Sequence, residues 1–253
     1  MQIQKTIFFN KDWRWSSFLE YSVDTLLGFK CFENQISPKY KYVEREFGSK
    51  KNRNKIYLAS WASSSDHINF ARSVCIESSN YSVLNFLIVP NQDFNMPFFG
   101  LDLVTLPKYH LLVLDFQPSI SIKKQFSKRL LSEIIALKNV CHEKLPIAEE
   151  MSGEVLKYFS PGMIWSKLPH CQSSDNLISN QLLNSFKDYL DLYLKTLHSN
   201  NRVNDDLQKE IIHGQKDYLE YRKNKDPARP MLINLFGNDF TESLIKDFLF
   251  KIS

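Results

Sequence analysis

Residues 96–118, MPFFGLDLVTLPKYHLLVLDFQP, decide the fold class. Two apolar runs, FFGLDLVTLP from Phe98 and HLLVLDFQP from His110, are rich in Val, Leu and aromatics and are each broken by a proline. Runs this short, bounded by turn residues, read as two strands of a hairpin. Towards the N-terminus KYVEREF, KIYLASWAS and SVLNFLIVP repeat the pattern, so the stretch from Tyr40 to Pro118 is predicted to be strands. An amphipathic helix over Asp12–Leu27 precedes them. Beyond Pro118 the period changes. SKRLLSEIIALKNV, NQLLNSFKDYLDLYLKTLH, DDLQKEIIHGQKDYLEYRK and DFTESLIKDFLF place apolar residues three and four apart, with charges between them. Strands first and helices afterwards predict an α+β fold, an antiparallel sheet covered by helices, rather than a βαβ arrangement. No repeat, low-complexity tract or linker divides the 253 residues, so one domain over 1–253 is expected.

Composition removes whole classes of function. Hydrophobic residues make up 43% and charged residues 24%, which is ordinary for a globular protein. The closest two of the seven glycines, Gly153 and Gly162, are nine apart, so no glycine-rich cradle for a dinucleotide or triphosphate can be written. Cys31, Cys75, Cys141 and Cys171 and the six histidines fall at no metal-ligand spacing, which argues against structural zinc or an iron–sulfur cluster. No run approaches the roughly 18 apolar residues of a membrane span, and the start, MQIQKTIFFNKDW, lacks the apolar core of a secretory signal. A cytoplasmic protein with free thiols is expected. A net charge of +4 is too mild for a nucleic-acid footprint but suits an acidic partner on one basic face.

Three polar residues interrupt strands that otherwise look buried on both faces: Asn85, Asp102 and Asp115. Each must be paired or must line a cavity. A loop centred near Asp93 and Phe94 pairs Asn85 with Asp102, and a turn centred on Lys108 and Tyr109 places Asp102 opposite Asp115. Opposed carboxylates on a partly buried face cannot both ionise cheaply, so one of them is expected to keep its proton as a general acid does. The competing reading is a structural network in which Asp115 and Asn85 bond backbone groups. The segment YRKNKDPAR, from Tyr221 to Arg229, is the second place to look. Asp226 before Pro227 has the form of a helix N-cap with proline at the first helical position, which favours the ionised carboxylate. The other reading makes it an acid held at a helix start. Arg222 and Arg229 suit carboxylates on a ligand or ordinary surface pairing. The aromatics suit the core or the walls of a flat conjugated ligand.

The segments MPFFGLDLVTLP, HLLVLDFQP, YFSPGMIWSKLP and YRKNKDPARPMLINLFG resemble the ferredoxin-dependent bilin reductases, over most of the chain. LVTLP, FSPGMIW and GQKDYLEYRKNKDPAR are most similar to the phycoerythrobilin-forming branch. The resemblance implies a three-layer α/β/α sandwich that binds an open-chain tetrapyrrole between the sheet and the C-terminal helices, with no metal or flavin. Reduced ferredoxin supplies electrons singly, the bilin carries the radical and protein acids supply protons. Asp102 and Asp226 match the family's two proton-donating carboxylates. Asn85 matches a position that is His in phycocyanobilin-forming relatives, and Ser73 is placed where those relatives carry a Glu; both departures point away from D-ring chemistry. Pro230 stands where relatives more often have Gly. The expected reaction is reduction of the A-ring diene of 15,16-dihydrobiliverdin to phycoerythrobilin. Asp102 and Asp226 act as catalytic acids, and Asn85, Arg222 and Arg229 as substrate contacts. Ferredoxin is the partner, and an upstream dihydrobiliverdin-forming reductase is a second. The alternatives are a sister reductase acting on biliverdin and a non-catalytic bilin carrier.

Overall fold

The computed structural model describes residues 12–49, 52–149 and 153–251; residues 1–11 of the opening segment read for a signal lie outside them. Eight strands run β1 Phe32–Glu33, β2 Tyr42–Ser49, β3 Asn52–Ser64, β4 Ile68–Ser78, β5 Ser82–Pro90, β6 Phe98–Thr105, β7 Tyr109–Gln117 and β8 Ile164–Pro169. The helices are α1 Ser16–Gly28, α2 Pro38–Lys41, α3 Ile122–Gln125, α4 Lys128–His142, α5 Gln172–Leu177, α6 Leu183–Ser199, α7 Asp205–Lys225, α8 Arg229–Phe236 and α9 Asn238–Leu244. A π-helical turn, Ile245–Leu249, extends α9.

All pairings are antiparallel, and β3 to β7 form a continuous meander in the order β1-β3-β4-β5-β6-β7-β8. The outer edge of β3 is shared: β2 takes Asn52–Ala59 and β1 takes Ser63 and Ser64. Two strands depart from the expectation. β4, INFARSVCIES, is a full central strand that the segment-by-segment reading passed over because charged and polar residues punctuate it. β8 lies in the half read as helical; its six residues alternate buried and more exposed positions and pair with β7.

The sheet separates two cores. On one face Leu84, Phe86, Phe99, Leu101, Leu112, Leu114 and Phe116 meet Phe18 and Leu19 of α1, Ile134 of α4 and Phe186, Tyr189 and Tyr193 of α6. On the other, Val74, Leu87 and Phe98 meet Tyr218 and Leu219 of α7, Leu232 and Phe236 of α8 and Phe240 and Leu244 of α9. This is the three-layer sandwich expected, made by the two-residue alternation of strand side chains. Helix ends follow local chemistry. Ser127 caps α4 by accepting from Leu130 N at 3.1 Å, and Asn204 caps α7 by accepting from Leu207 N at 3.0 Å. Asp205 and Asp206 begin α7 while Arg222, Lys223 and Lys225 end it, each sign matched to the helix dipole.

Candidate active site

Asn85, Asp102 and Asp115 all point to the second face, because their strand neighbours Leu84, Phe86, Leu101, Leu103, Leu114 and Phe116 face the first. Asn85 is directly opposite Asp102, as the sequence reading has it, and its Nδ2 donates to Asp102 Oδ1. The β6–β7 register differs from the expectation. The turn closes around Pro107 and Lys108, with Leu106 N donating to Tyr109 O at 2.9 Å. Proline's fixed φ suits the first corner of a tight turn, which moves the turn one residue earlier. Asp102 therefore faces Val113 and Asp115 faces Gly100, so the two aspartates are diagonal neighbours rather than an opposed pair. Asp115 is fully buried and accepts from Ser160 N at 2.8 Å and from Ser160 Oγ, tying down the FSPG segment. Burial pushes its carboxyl up to about 7, against those hydrogen bonds. Of the two readings of Asp115, the structural one describes what it touches.

The residue that sequence reading missed is Arg72 of β4. Its guanidinium is fully buried, Nε donates to Leu249 O at 2.8 Å, and Nη1 donates to Asn85 Oδ1. Asn85 thus bonds side chains on both sides rather than backbone. Burial pushes Arg72 down to about 10 while Asp102 holds it up, so it remains a cation at neutral pH. A charged residue inside INFARSVCIES is the signal that marks it. Ser73, expected at a site position, pairs with Phe86 and so lies on the other face; the site-facing residues of β4 are Arg72 and Val74. Gln117 and Tyr218 close the far end: the Tyr218 hydroxyl donates to Gln117 Oε1, and its ring stacks on Phe98 at 4.2 Å. A Cβ on Gly100 would lie 2.7 Å from that Gln117 amide, so glycine leaves the room it occupies.

α7 brings the remaining groups. It docks closely because Gly214 has no side chain: a Cβ there would lie 2.0 Å from the Ser119 carbonyl oxygen. Next to it, Gln215 Nε2 donates to Pro90 O at 3.1 Å. Two turns on, Arg222 Nη2 lies 3.6 Å from Asp102 Oδ2. Burial opposes its charge, but Tyr218, Asp102 and Asp226 together hold the guanidinium above its ordinary value. The Phe250 ring covers both arginines, 5.5 Å from the Arg72 guanidinium carbon and 5.3 Å from that of Arg222.

Asp226 corrects the N-cap expectation. It ends α7 rather than starting α8, which begins at Arg229 and carries Pro230, not Pro227, in its first turn. Its Oδ1 accepts from Ala228 N at 2.9 Å, a local turn bond. The side chain is buried, and that burial raises its carboxyl above the ordinary range, although Arg222 and the Ala228 amide oppose the shift. Arg229 is engaged elsewhere: its terminal nitrogens reach Glu242 and the Lys223 carbonyl, joining α8 to α9 and to the end of α7.

The structure thus brings Asn85, Asp102, Arg222 and Asp226 together with Arg72, and sets Arg229 and Asp115 to other tasks. Asp102 keeps 28% of its side chain exposed and Arg222 16%, so the polar row, buried at Arg72 and Asp226, is reached from solvent there. The arrangement offers a carboxyl that burial favours as the neutral acid, a second carboxyl gripped by an oriented amide, and two cations to compensate charge. It is suited to giving protons to a bound molecule between sheet and helices. No group of three metal-ligating side chains occurs among the described residues, and no described helix is long and apolar enough to cross a membrane.

Sheet, helical cover and acid row together define a class of protein. Residues 28–251 match the family model for ferredoxin-dependent bilin reductases, and the chain belongs to that family. It is 55% identical over 251 residues, 99% of each chain, to the phycoerythrobilin:ferredoxin oxidoreductase of Prochlorococcus marinus strain MIT 9301. To the enzyme of the same name from Synechococcus sp. strain RCC307 it is 34% identical over 242 residues, 95% of this chain and 92% of that one. Tomato phytochromobilin synthase, solved in complex with biliverdin, superposes with a TM-score of 0.77 at 24% identity, covering 93% of this chain and 82% of that one, and so shares the fold. The protein is an oxidoreductase that uses ferredoxin as electron donor.

Proposed function

We propose that this chain reduces the A-ring diene of 15,16-dihydrobiliverdin to phycoerythrobilin. Two electrons arrive one at a time from reduced ferredoxin and two protons come from Asp102 and Asp226. The observation that carries the reading is the convergence of those two aspartates, from sheet and helix, on Arg222, which lies 3.6 Å from Asp102 and opposes the upward shift of Asp226.

Each residue has a task derived from its surroundings. Burial leaves Asp226 inclined to hold a proton, the state a donor needs. Asn85 cannot rotate freely, because Arg72 takes its oxygen and Asp102 its NH2, so the Asp102 carboxyl is held at one angle. When either acid gives up its proton, the Arg222 guanidinium is placed to compensate the charge left behind. The bilin holds the unpaired electron between the two transfers. Asp102 and Arg222 are partly exposed, so it is the bound bilin, lying over them, that keeps bulk water from competing as a proton source. Ferredoxin docks through basic residues at the pocket edge, where Lys157 and Lys225 are exposed, and rising salt weakens that association.

The test is an anaerobic single-turnover assay with 15,16-dihydrobiliverdin and, separately, biliverdin, using a ferredoxin reducing system and product chromatography. Phycoerythrobilin from the dihydro substrate alone supports the reading. Reduction of biliverdin instead moves the activity to the A-ring or 15,16-bridge step of a sister enzyme, the reading that a biliverdin-bound structural neighbour favours. Tight binding with no turnover of either compound makes the chain a carrier.

A further inference from the structure

Two buried nitrogen donors in this site have no partner among the described residues: Arg72 Nη2 and Arg222 Nε. Buried N–H groups are almost always satisfied, so an orphaned pair in one place marks an acceptor that arrives with a ligand. The charge balance says what kind. Arg72 and Arg222 bring two positive charges, Asp102 pairs with Arg222 and reaches Arg72 through Asn85, and the remaining acid, Asp226, is inclined by burial to be neutral. Tyr218, also facing the arginines, is held neutral because burial pushes its hydroxyl up to about 12. The cluster therefore has a positive excess, and an oxygen bearing negative charge suits it best.

We propose that Arg72 is a substrate-binding residue, its one edge fixing Asn85 against Asp102 and its free Nη2 receiving a negatively charged oxygen of the bilin. That oxygen belongs either to a propionate carboxylate or to a ring lactam, which gains negative charge when an electron enters the conjugated system. Arg72 suits the role because its other donors are committed: Nε to Leu249 O and Nη1 to Asn85 leave the guanidinium plane one orientation. The inference rests on the bilin-reductase reading but not on which bilin is reduced.

The experiment is absorbance titration of wild type, Arg72→Gln and Arg72→Lys with 15,16-dihydrobiliverdin and biliverdin, each as free acid and as dimethyl ester. Single-turnover rates are measured on the same samples, and thermal unfolding checks that each variant is folded. About tenfold weaker binding of the free acids by Arg72→Gln, with ester binding unchanged, assigns the oxygen to a propionate. Weaker binding of acid and ester alike, with slower appearance of the radical after the first electron, assigns it to a lactam. Arg72→Lys keeps the charge without the fork and is expected to fall between wild type and Arg72→Gln; it carries the test if the glutamine variant does not fold. Wild-type affinity and wild-type radical kinetics in folded variants overturn the proposal. Failure of wild type to reduce the dihydro substrate would instead count against the reaction assigned above, while the titrations still report on Arg72.

Discussion

One sheet presents two faces that are built on opposite terms. Towards α1, α4 and α6 the central strands are mainly apolar, with small exceptions such as Ser73, and Phe99, Phe116, Phe186, Tyr189 and Tyr193 meet edge to face or tilted. Even the tyrosine hydroxyls there are satisfied by backbone carbonyls, Tyr189 on Ile134 and Gly162 and Tyr193 on Pro97. Towards α7 to α9 the same strands carry Arg72, Asn85, Asp102, Asp115 and Gln117. Burying ions and amides costs folding free energy unless they are paired well, and here two arginine nitrogens are not. The first face holds the molecule together and the second spends part of that stability on chemistry, which is where function and stability are expected to separate under mutation.

The largest separation is expected at the acids. Asp226→Asn keeps size and the Ala228 bond but removes the proton, so single-turnover rate should drop about 10²–10⁴-fold with bilin binding and unfolding temperature little changed. Full turnover in that variant would make Asp226 a structural residue and collapse the contrast between faces. In wild type, because burial raises this acid, activity should be lost as pH rises through its titration, and the alkaline limb should be missing from any residual activity of the variant. The opposite behaviour is expected of Phe186→Ala on the dry face. It should cost about 3–5 kcal/mol in denaturant unfolding while the folded fraction keeps its rate per molecule.

Gly214→Ala tests whether helix placement links the two. A methyl group 2.0 Å from a backbone oxygen cannot be accommodated without shifting α7, so about 1–3 kcal/mol of stability should go together with slower turnover as Arg222 leaves Asp102. The last effect is a pH slope. Asp115 binds its proton more tightly folded than unfolded, so its contribution to stability is complete below about pH 4 and is lost as pH rises through about 7. Asp115→Asn should flatten the denaturant midpoint over that window, and an unchanged slope would remove Asp115 from the account.

Much of this was readable in the chain. Strand segments with proline ends and helical segments with three-and-four spacing place the layers, and counting across a symmetric loop pairs Asn85 with Asp102. The errors have local causes. Pro107 moved one turn by a residue, which cost the Asp102–Asp115 pairing. Ser73 was assigned by counting from Asn85, but alternation along β4 turns it to the other face. Asp226 looked like a cap because proline follows it, whereas the helix starts one turn later at Arg229. Arg72 was invisible for a different reason: β4 was not separated as a strand, and a buried cation cannot be recognised until its strand is known to be central.

The meander has a consequence for how reactivity can be repositioned. Arg72, Asn85, Asp102 and Asp115 sit one per strand on β4, β5, β6 and β7, and adjacent strands are about 4.8 Å apart, so the row is a ruler of about 14 Å laid across the floor of the site. On the reading proposed above, the regiochemistry of a long planar substrate follows which rung of this ruler carries the acid. The same reading predicts that a single substitution moves that rung by one strand without altering a loop, a helix or the opposite core.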